Sequence, residues 1–226
     1  MFYRWTALEG LYPNIADNMK SGVKCSQGHK KDSLTAEQGG KLINAFKGNR
    51  LVDKRNRAII ALMITSGLRT IEISRANIED LVEINGRYYL YVLGKGRSER
   101  AEKVLVASQV YALIKDYLNA RGDAAKDAPL FIATRRNKGG RISTQTISKM
   151  VKATLKSVGI DSKRITAHSL RHSAACQMIL AGVELRQVQS VLRHKNINTT
   201  LIYLSEVDRL KNTAEQSAAN AFFANC

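Results

Sequence analysis

The sequence has few cysteines, few acidic residues, few histidines and no long apolar run. Its three cysteines, Cys25, Cys176 and Cys226, are odd in number and share no metal or redox spacing. Cys176 lies in an apolar helical stretch and reads as a small core residue; the set fits a reducing compartment. The longest purely apolar run, AIIALMI at 58–64, is far too short to cross a bilayer. The N-terminal MFYRW lacks a signal-peptide pattern, so no membrane partner and a cytoplasmic location are expected. Acids are outnumbered: 19 Asp+Glu against 36 Lys+Arg leave a net charge of +17 over 226 residues. The commonest partner for such a positive surface is a phosphate backbone. Histidine is scarce, with four in the chain, yet three of them fall between His168 and His194.

What is present is a chain long enough for a proper core, with hydrophobic and charged content ordinary for a folded protein. Residues 1–20 begin like the end of a helix, with an aromatic face at Phe2 and Trp5, a stop near Gly10 and Pro13 beyond it. Nothing precedes that helix for it to pack against, so the chain is expected to be part of a longer one. A polar, basic linker without periodicity, SGVKCSQGHKKDS, covers 21–33. The main domain, 34–226, opens on Thr35, which can N-cap a helix with Gln38 in a capping box. An apolar helix follows at 53–67, ending at Gly67, and then a short amphipathic turn, LRTIEISRA. Over 80–106 the period shortens: DLVEI, the Asn85–Gly86 turn, RYYLYVL, GKGR and AEKVLVA read as three antiparallel strands. Helical periodicity then returns, with apolar faces at Val110, Leu113, Ile114, Tyr117 and Leu118 and at Ile147, Met150, Val151, Leu155 and Val158. Further helices are expected over 166–182 and 184–194, and one or two more over 201–221. The fold class is mainly α with a small three-stranded antiparallel sheet (α+β), without internal repeats.

The motifs that carry chemistry are scattered. With Thr166 as N-cap, His168 falls in the first helical turn and Arg171 one turn later on the same face. Free backbone N–H groups at a helix start favour an anion, and a guanidinium matches phosphate oxygens in bidentate fashion. His168 and His172 also have the i, i+4 spacing of zinc metalloproteases, but Ser169 stands where those sites carry glutamate and no third ligand is evident. His172 alone continues an apolar side with Ala175 and Ile179 and reads as a hydrogen-bonded core residue. In TSGLRTIEI, Glu72 sits one turn beyond Arg69 and could hold its guanidinium in a fixed pose; the bland reading is a surface ion pair worth little. GKGRSER at 94–100 is not a Walker loop but a hairpin tip. Its Lys95 is either a solvated charge or a proton donor delivered when the hairpin closes. In VLRHKNINTTLIYL, Tyr203 follows His194 by nine residues, and a lone tyrosine among apolar neighbours is ordinarily packing.

Taken in order, these pieces are Arg with Glu three later, Lys in Gly-Lys-Gly, His-x-x-Arg-His, and His and Tyr nine apart. From about Leu34 to Leu204 the sequence resembles the catalytic domain of the tyrosine recombinases, the phage integrase-like family. The segment 1–20, with YPNIADN, resembles the end of that family's core-binding domain. The resemblance implies a site-specific recombinase of the integrase or excisionase type, which cleaves and rejoins DNA through a 3′-phosphotyrosine on Tyr203. It implies no cofactor, no metal and no ATP, because the covalent link keeps the phosphodiester energy. Arg69 and Arg171 would hold the non-bridging oxygens, Lys95 would protonate the leaving 5′-oxygen, His168 would assist proton movement at Tyr203, and His194 would hydrogen-bond the phosphate. Glu72 and His172 would support this set from behind.

The implied partner is double-stranded DNA with paired recognition sites. From Arg135 to Arg164 there are nine basic residues and one acid, Asp161. Arg97, Arg135, Arg136 and Arg141, with Thr144, Gln145 and Lys149 at the start of a helix near Ser143, are the expected DNA contacts. The resemblance further implies a homo-tetramer on DNA linked by the C-terminal helix within 205–226, weakly associated or monomeric when free. The protein would be bacterial or phage-encoded and nucleoid-associated. Arg193 departs from the family, which usually has glycine there. Rival readings are a type IB topoisomerase-like enzyme with the same chemistry, a DNA-binding module without catalysis, and a metal-dependent hydrolase using His168 and His172.

Overall fold

A computed structural model describes residues 9–10, 32–94, 100–134, 139–194 and 196–224. The segments 1–8 and 11–31, and with them nearly all of the expected remnant helix and linker, lie outside the described residues, as do the hairpin tip 95–99 and residues 135–138.

Helix α1 spans Ala36–Asn44, and Thr35 begins it as the sequence pattern dictates. The Gln38 N–H donates to Thr35 Oγ1 at 3.2 Å, and the Thr35 N–H donates to Gln38 Oε1 at 3.0 Å. Helix α2 (Leu51–Ser66) is the centre of the fold. Residues Ala58 to Met63 are all buried, which fits a helix enclosed on every side rather than an amphipathic one. It stops at Gly67, whose φ of 60° suits glycine, and a Cβ there would meet Leu192 Cδ2 at 2.6 Å. The short helix α3 (Thr70–Arg75) follows at once.

Strands β1 (Leu81–Ile84), β2 (Arg87–Val92) and β3 (Glu102–Val106) form one antiparallel sheet in the order β1-β2-β3. Asn85 and Gly86 both take positive φ, 50° and 73°, the geometry of a two-residue hairpin whose twist matches the strands. Register pairs Leu81 with Leu90 and Leu90 with Val104, so Leu90, Val92, Val104 and Val106 line the buried face. Helices α4 (Ser108–Arg121) and α5 (Thr144–Ser157) bury Val110, Ile114 and Tyr117, and Ile147, Val151 and Leu155, against α2 and its neighbours.

Helix α6 (Ala167–Leu180) is buried on both sides. Ala167 and Leu170 join the main core, while Ala175, Cys176 and Ile179 join a smaller one. That second cluster is completed by Val188 and Leu192 of α7 (Leu185–Leu192) and by Tyr203 and Val207 of α8 (Asn198–Lys211). A last helix, α9 (Ala214–Phe223), has no buried residue. Among the described residues no helix is long and apolar enough to cross a membrane.

Candidate active site

The ends of α2, α3, α6 and α7 and one face of α8 enclose an open cleft of about 920 Å³, lined by Arg69, His168, Arg171, His194 and Tyr203 among others. Five of the six residues expected to carry catalysis therefore meet at one place, although 134 positions separate the first from the last. The sixth, Lys95, lies outside the described residues. Its flank is tied to the site's own wall, because Arg75 Nη1 donates to the Gly94 carbonyl at 3.2 Å.

Arg69 is the N-cap of α3. Its backbone N–H donates to Glu72 Oε2 at 2.7 Å and its Nη1 to Glu72 Oε1 at 3.0 Å. The Glu72 carboxylate is fully buried whereas Arg69 is one third exposed, so the arginine is fixed from behind and offers its other donors to the cleft. This is the pose expected from the spacing, and burial distinguishes it from an ordinary surface pair.

Helix α6 begins with the Thr166 N–H donating to Ser169 Oγ at 3.0 Å. That start places His168, exposed, at the rim and Arg171, buried, at the floor of the cleft. Arg171 Nη1 donates to the Gly67 carbonyl at 2.5 Å and Nη2 to the Leu192 carbonyl, which locks the guanidinium across the junction of α2, α6 and α7. Two of five N–H donors are used, leaving others for a ligand. Burial, with the nearby Arg69 and Arg193 cations, lowers its pKa to about 10, so it stays charged at neutral pH.

His194 follows the end of α7. Its Nδ1 is 2.9 Å from the Oγ1 of the fully buried Thr200. Burial first, and then Arg171, Arg69, Arg193 and His168, lower its pKa to about 4, so it is neutral at physiological pH. Tyr203 is 2% exposed and its ring lies between two imidazoles, 4.7 Å from His172 and 5.9 Å from His194 between centroids. Burial raises the phenol pKa, while Arg171 and Arg69 pull it back.

His172 is fully buried and does not line the cleft. Its Nε2 is 2.7 Å from Glu206 Oε2, and Ser33 Oγ donates to Glu206 Oε1 at 3.2 Å. Glu206 thus sits one turn beyond Tyr203 as the partner of His172; sequence reading missed it, and only the i, i+3 spacing from Tyr203 could have marked it. The metalloprotease pairing of His168 with His172 is not formed: the one group of three close metal-type donors among the described residues is His172, Cys176 and Glu206, within 4.8 Å of one another. Glu206 there already accepts from Ser33 and stands against His172, and burial, reinforced by Glu206, pushes the Cys176 thiol up to about 11.

Of the expected DNA contacts, Arg97, Arg135 and Arg136 lie outside the described residues. Ser143 caps α5 by accepting from the Thr146 N–H at 3.1 Å, which leaves Gln145 and Lys149 exposed and Thr144 half-buried. Arg141 departs from expectation. Its guanidinium donates to the Ser74 and Ala76 carbonyls at 2.8 and 3.1 Å and to Asn77 Oδ1 at 2.6 Å, so it braces the fold where a groove contact was expected.

Comparisons with known proteins bear on the family and the fold. The model of the phage integrase family matches residues 32–209. The chain is 36% identical over 172 residues to the tyrosine recombinase XerC of Caldanaerobacter subterraneus, covering 75% of this chain and 46% of that protein. It is 32% identical over 207 residues to the XerC of Thermodesulfovibrio yellowstonii, covering 89% and 66%. The chain therefore spans about half to two thirds of the length of these curated relatives. A crystal structure of the XerH site-specific recombinase bound to palindromic difH substrate superposes with a TM-score of 0.73 at 24% identity, over 93% of this chain and 59% of that one.

Proposed function

Because the chain belongs to the phage integrase family, we propose that it recombines DNA site-specifically, cleaving and rejoining duplexes at paired recognition sites through Tyr203. The observation that carries this reading is the meeting of Tyr203 with Arg69, His168, Arg171 and His194 on one cleft. The Tyr203 oxygen attacks the phosphorus and forms a 3′-phosphotyrosine. The bond to the 5′-oxygen breaks, and that oxygen leaves with a proton from Lys95. The phenolic proton departs by way of His168, which stands at the cleft rim. Arg69 and Arg171 bind the non-bridging oxygens and offset the charge that grows on the pentacoordinate transition state. His194, neutral, donates a ring N–H to a phosphate oxygen there without a change of charge. The reverse attack by a 5′-hydroxyl rejoins the strand, so the energy of the broken bond is retained and no nucleotide is consumed.

The net charge of +17 and the exposed Gln145 and Lys149 at the start of α5 support a duplex as the substrate. Residues 34–226 form the catalytic domain in this reading. Helix α9 docks on a neighbouring protomer of a tetramer assembled on DNA, with Phe222 and Phe223, 78% and 76% exposed, as its apolar contacts. Strand exchange takes place on cytoplasmic, nucleoid-associated DNA.

The test uses labelled duplexes from the ends of the DNA element that encodes the chain, nicked near the exchange point. Protein is added with a chelator and without ATP, and the reaction is quenched in detergent. A DNA–protein band that Tyr203→Phe abolishes is the expected result. A band that survives in Tyr203→Phe, or that appears only with metal, would overturn the reading.

A further inference from the structure

Arg193 sits where a glycine would cost nothing. It caps α7 in the left-handed region, φ 55° and ψ 46°, with its N–H donating to the Ser190 carbonyl at 2.9 Å and the His194 N–H to the Gln189 carbonyl at 3.1 Å. For a residue with a Cβ this conformation is strained, because the Cβ crowds the following carbonyl oxygen. The side chain is nevertheless long and charged, and it is folded inward: 5% exposed, with Nη2 donating to Glu72 Oε2 at 2.8 Å and Nη1 to the Val191 carbonyl at 2.6 Å. Its Nε stands 3.9 Å from Glu102 Oε2 on β3.

The Glu72 carboxylate is therefore shared. Its Oε1 accepts from the Arg69 guanidinium, and its Oε2 accepts from both the Arg69 backbone N–H and Arg193. Arg69 lies on the α3 side of the cleft and His194 on the α7–α8 turn, and this single buried carboxylate holds Arg69 and the residue next to His194. A strained backbone and a buried guanidinium at the same position would both be avoided by glycine, so the tether itself is what the arginine supplies.

We propose that Arg193 is a positioning residue that clips the His194 turn to the helix of Arg69 through Glu72, setting the separation at which the two donors meet one phosphate. The inference rests on the recombinase reading for its consequence in the reaction, though not for the tether. Removing the arginine frees the turn, and a misplacement of about 1 Å costs a rate on the order of 100-fold.

The experiment compares the chain with its Arg193→Gly and Arg193→Lys variants in two readouts. In the free protein, the ring carbons of labelled His194 are titrated by NMR. The cations facing this ring are Arg171, Arg69, Arg193 and His168, and burial adds to their effect. Arg193→Gly is expected to raise the midpoint from about 4 toward the ordinary histidine value, and Arg193→Lys to restore much of the shift. With nicked duplex, Arg193→Gly is expected to slow Tyr203 adduct formation about 10- to 100-fold with duplex affinity changed less than about threefold, and lysine to recover part of the rate. Glycine relieves the cap while the ion pair is lost, so melting should move by a few degrees at most; a global collapse of Arg193→Gly would leave Arg193→Lys to carry both readouts. An unmoved His194 midpoint overturns the proposal, as does a rate loss that lies wholly in duplex affinity. If the parent chain forms no Tyr203 adduct, the recombinase reading falls, and exchange of the His194 N–H in the free protein, expected to quicken in Arg193→Gly and to stay slow in Arg193→Lys, still decides whether the clip exists.

Discussion

Arg69 and Tyr203 face the same cleft, but the elements behind them are supported unequally. Arg69 stands at the end of α2, whose residues Ala58 to Met63 are enclosed by α1, α4, α6 and the sheet. Tyr203 belongs to the small cluster of α6, α7 and α8, in which this proposed nucleophile is itself one of the few buried side chains. A phosphate clamp gains from rigidity, because its donors must stand where charge will grow before it does. A nucleophile that must bond to phosphorus, stay bonded and then let go gains from a support that opens at low cost. Helix α6 belongs to both regions, and it carries Arg171 and His172 at the seam between them.

Core substitutions give the largest expected effects. Leu62→Ala should lower global stability by about 2–5 kcal/mol in denaturant melts and speed amide exchange in both walls alike. Val207→Ala removes two methyl groups, about 1.5 kcal/mol, and should speed exchange in α8 while leaving α2 unchanged. Equal acceleration of α2 and α8 by Val207→Ala would mean that the walls are one cooperative unit.

A weaker effect comes from pH. The folded pKa of His194 is about 4, below the ordinary 6.5, so between these values the unfolded chain binds a proton that the folded chain refuses. The stabilising contribution of neutral His194 is complete above about pH 6.5 and drains away as pH falls toward 4. Methyl resonances of Val188 and Val207 should therefore shift or broaden across this window before those of Ile59 and Val151. Simultaneous change in all four would contradict the division.

The smallest effect is expected at α9. Replacing Phe222 and Phe223 with serine should change the chain's own stability by less than about 0.5 kcal/mol, since both are exposed, while abolishing DNA-dependent assembly. A melting point several degrees lower would instead mean that α9 packs on its own chain.

Local signals were legible in the sequence because their physics is local. Thr35 with Gln38, Asn85 with Gly86, the stop at Gly67 and the caps at Ser143 and Thr166 all act within a few residues. The strands and all the main helices followed from period, and the site followed from five motifs in family order rather than from any one of them. Partners distant in sequence stayed hidden. Glu206 pairs with His172 and Ser33, and Arg141 turns inward to Ser74, Ala76 and Asn77. No periodicity marks a basic residue as a brace. Arg193 stood out only as an unusual residue at a turn, and its worth depends on a carboxylate 121 positions away. Tyr203, in its own window, is indistinguishable from packing, and in this fold it does pack, 2% exposed, inside the second cluster.

The most direct test of the central claim is to isolate the covalent DNA–protein adduct, trim it with nuclease and protease, and locate the nucleotide by peptide mass spectrometry. The account predicts a 3′-phosphonucleotide on the peptide that contains Tyr203 and on no other. A nucleotide attached elsewhere, or joined through its 5′-phosphate, would contradict it.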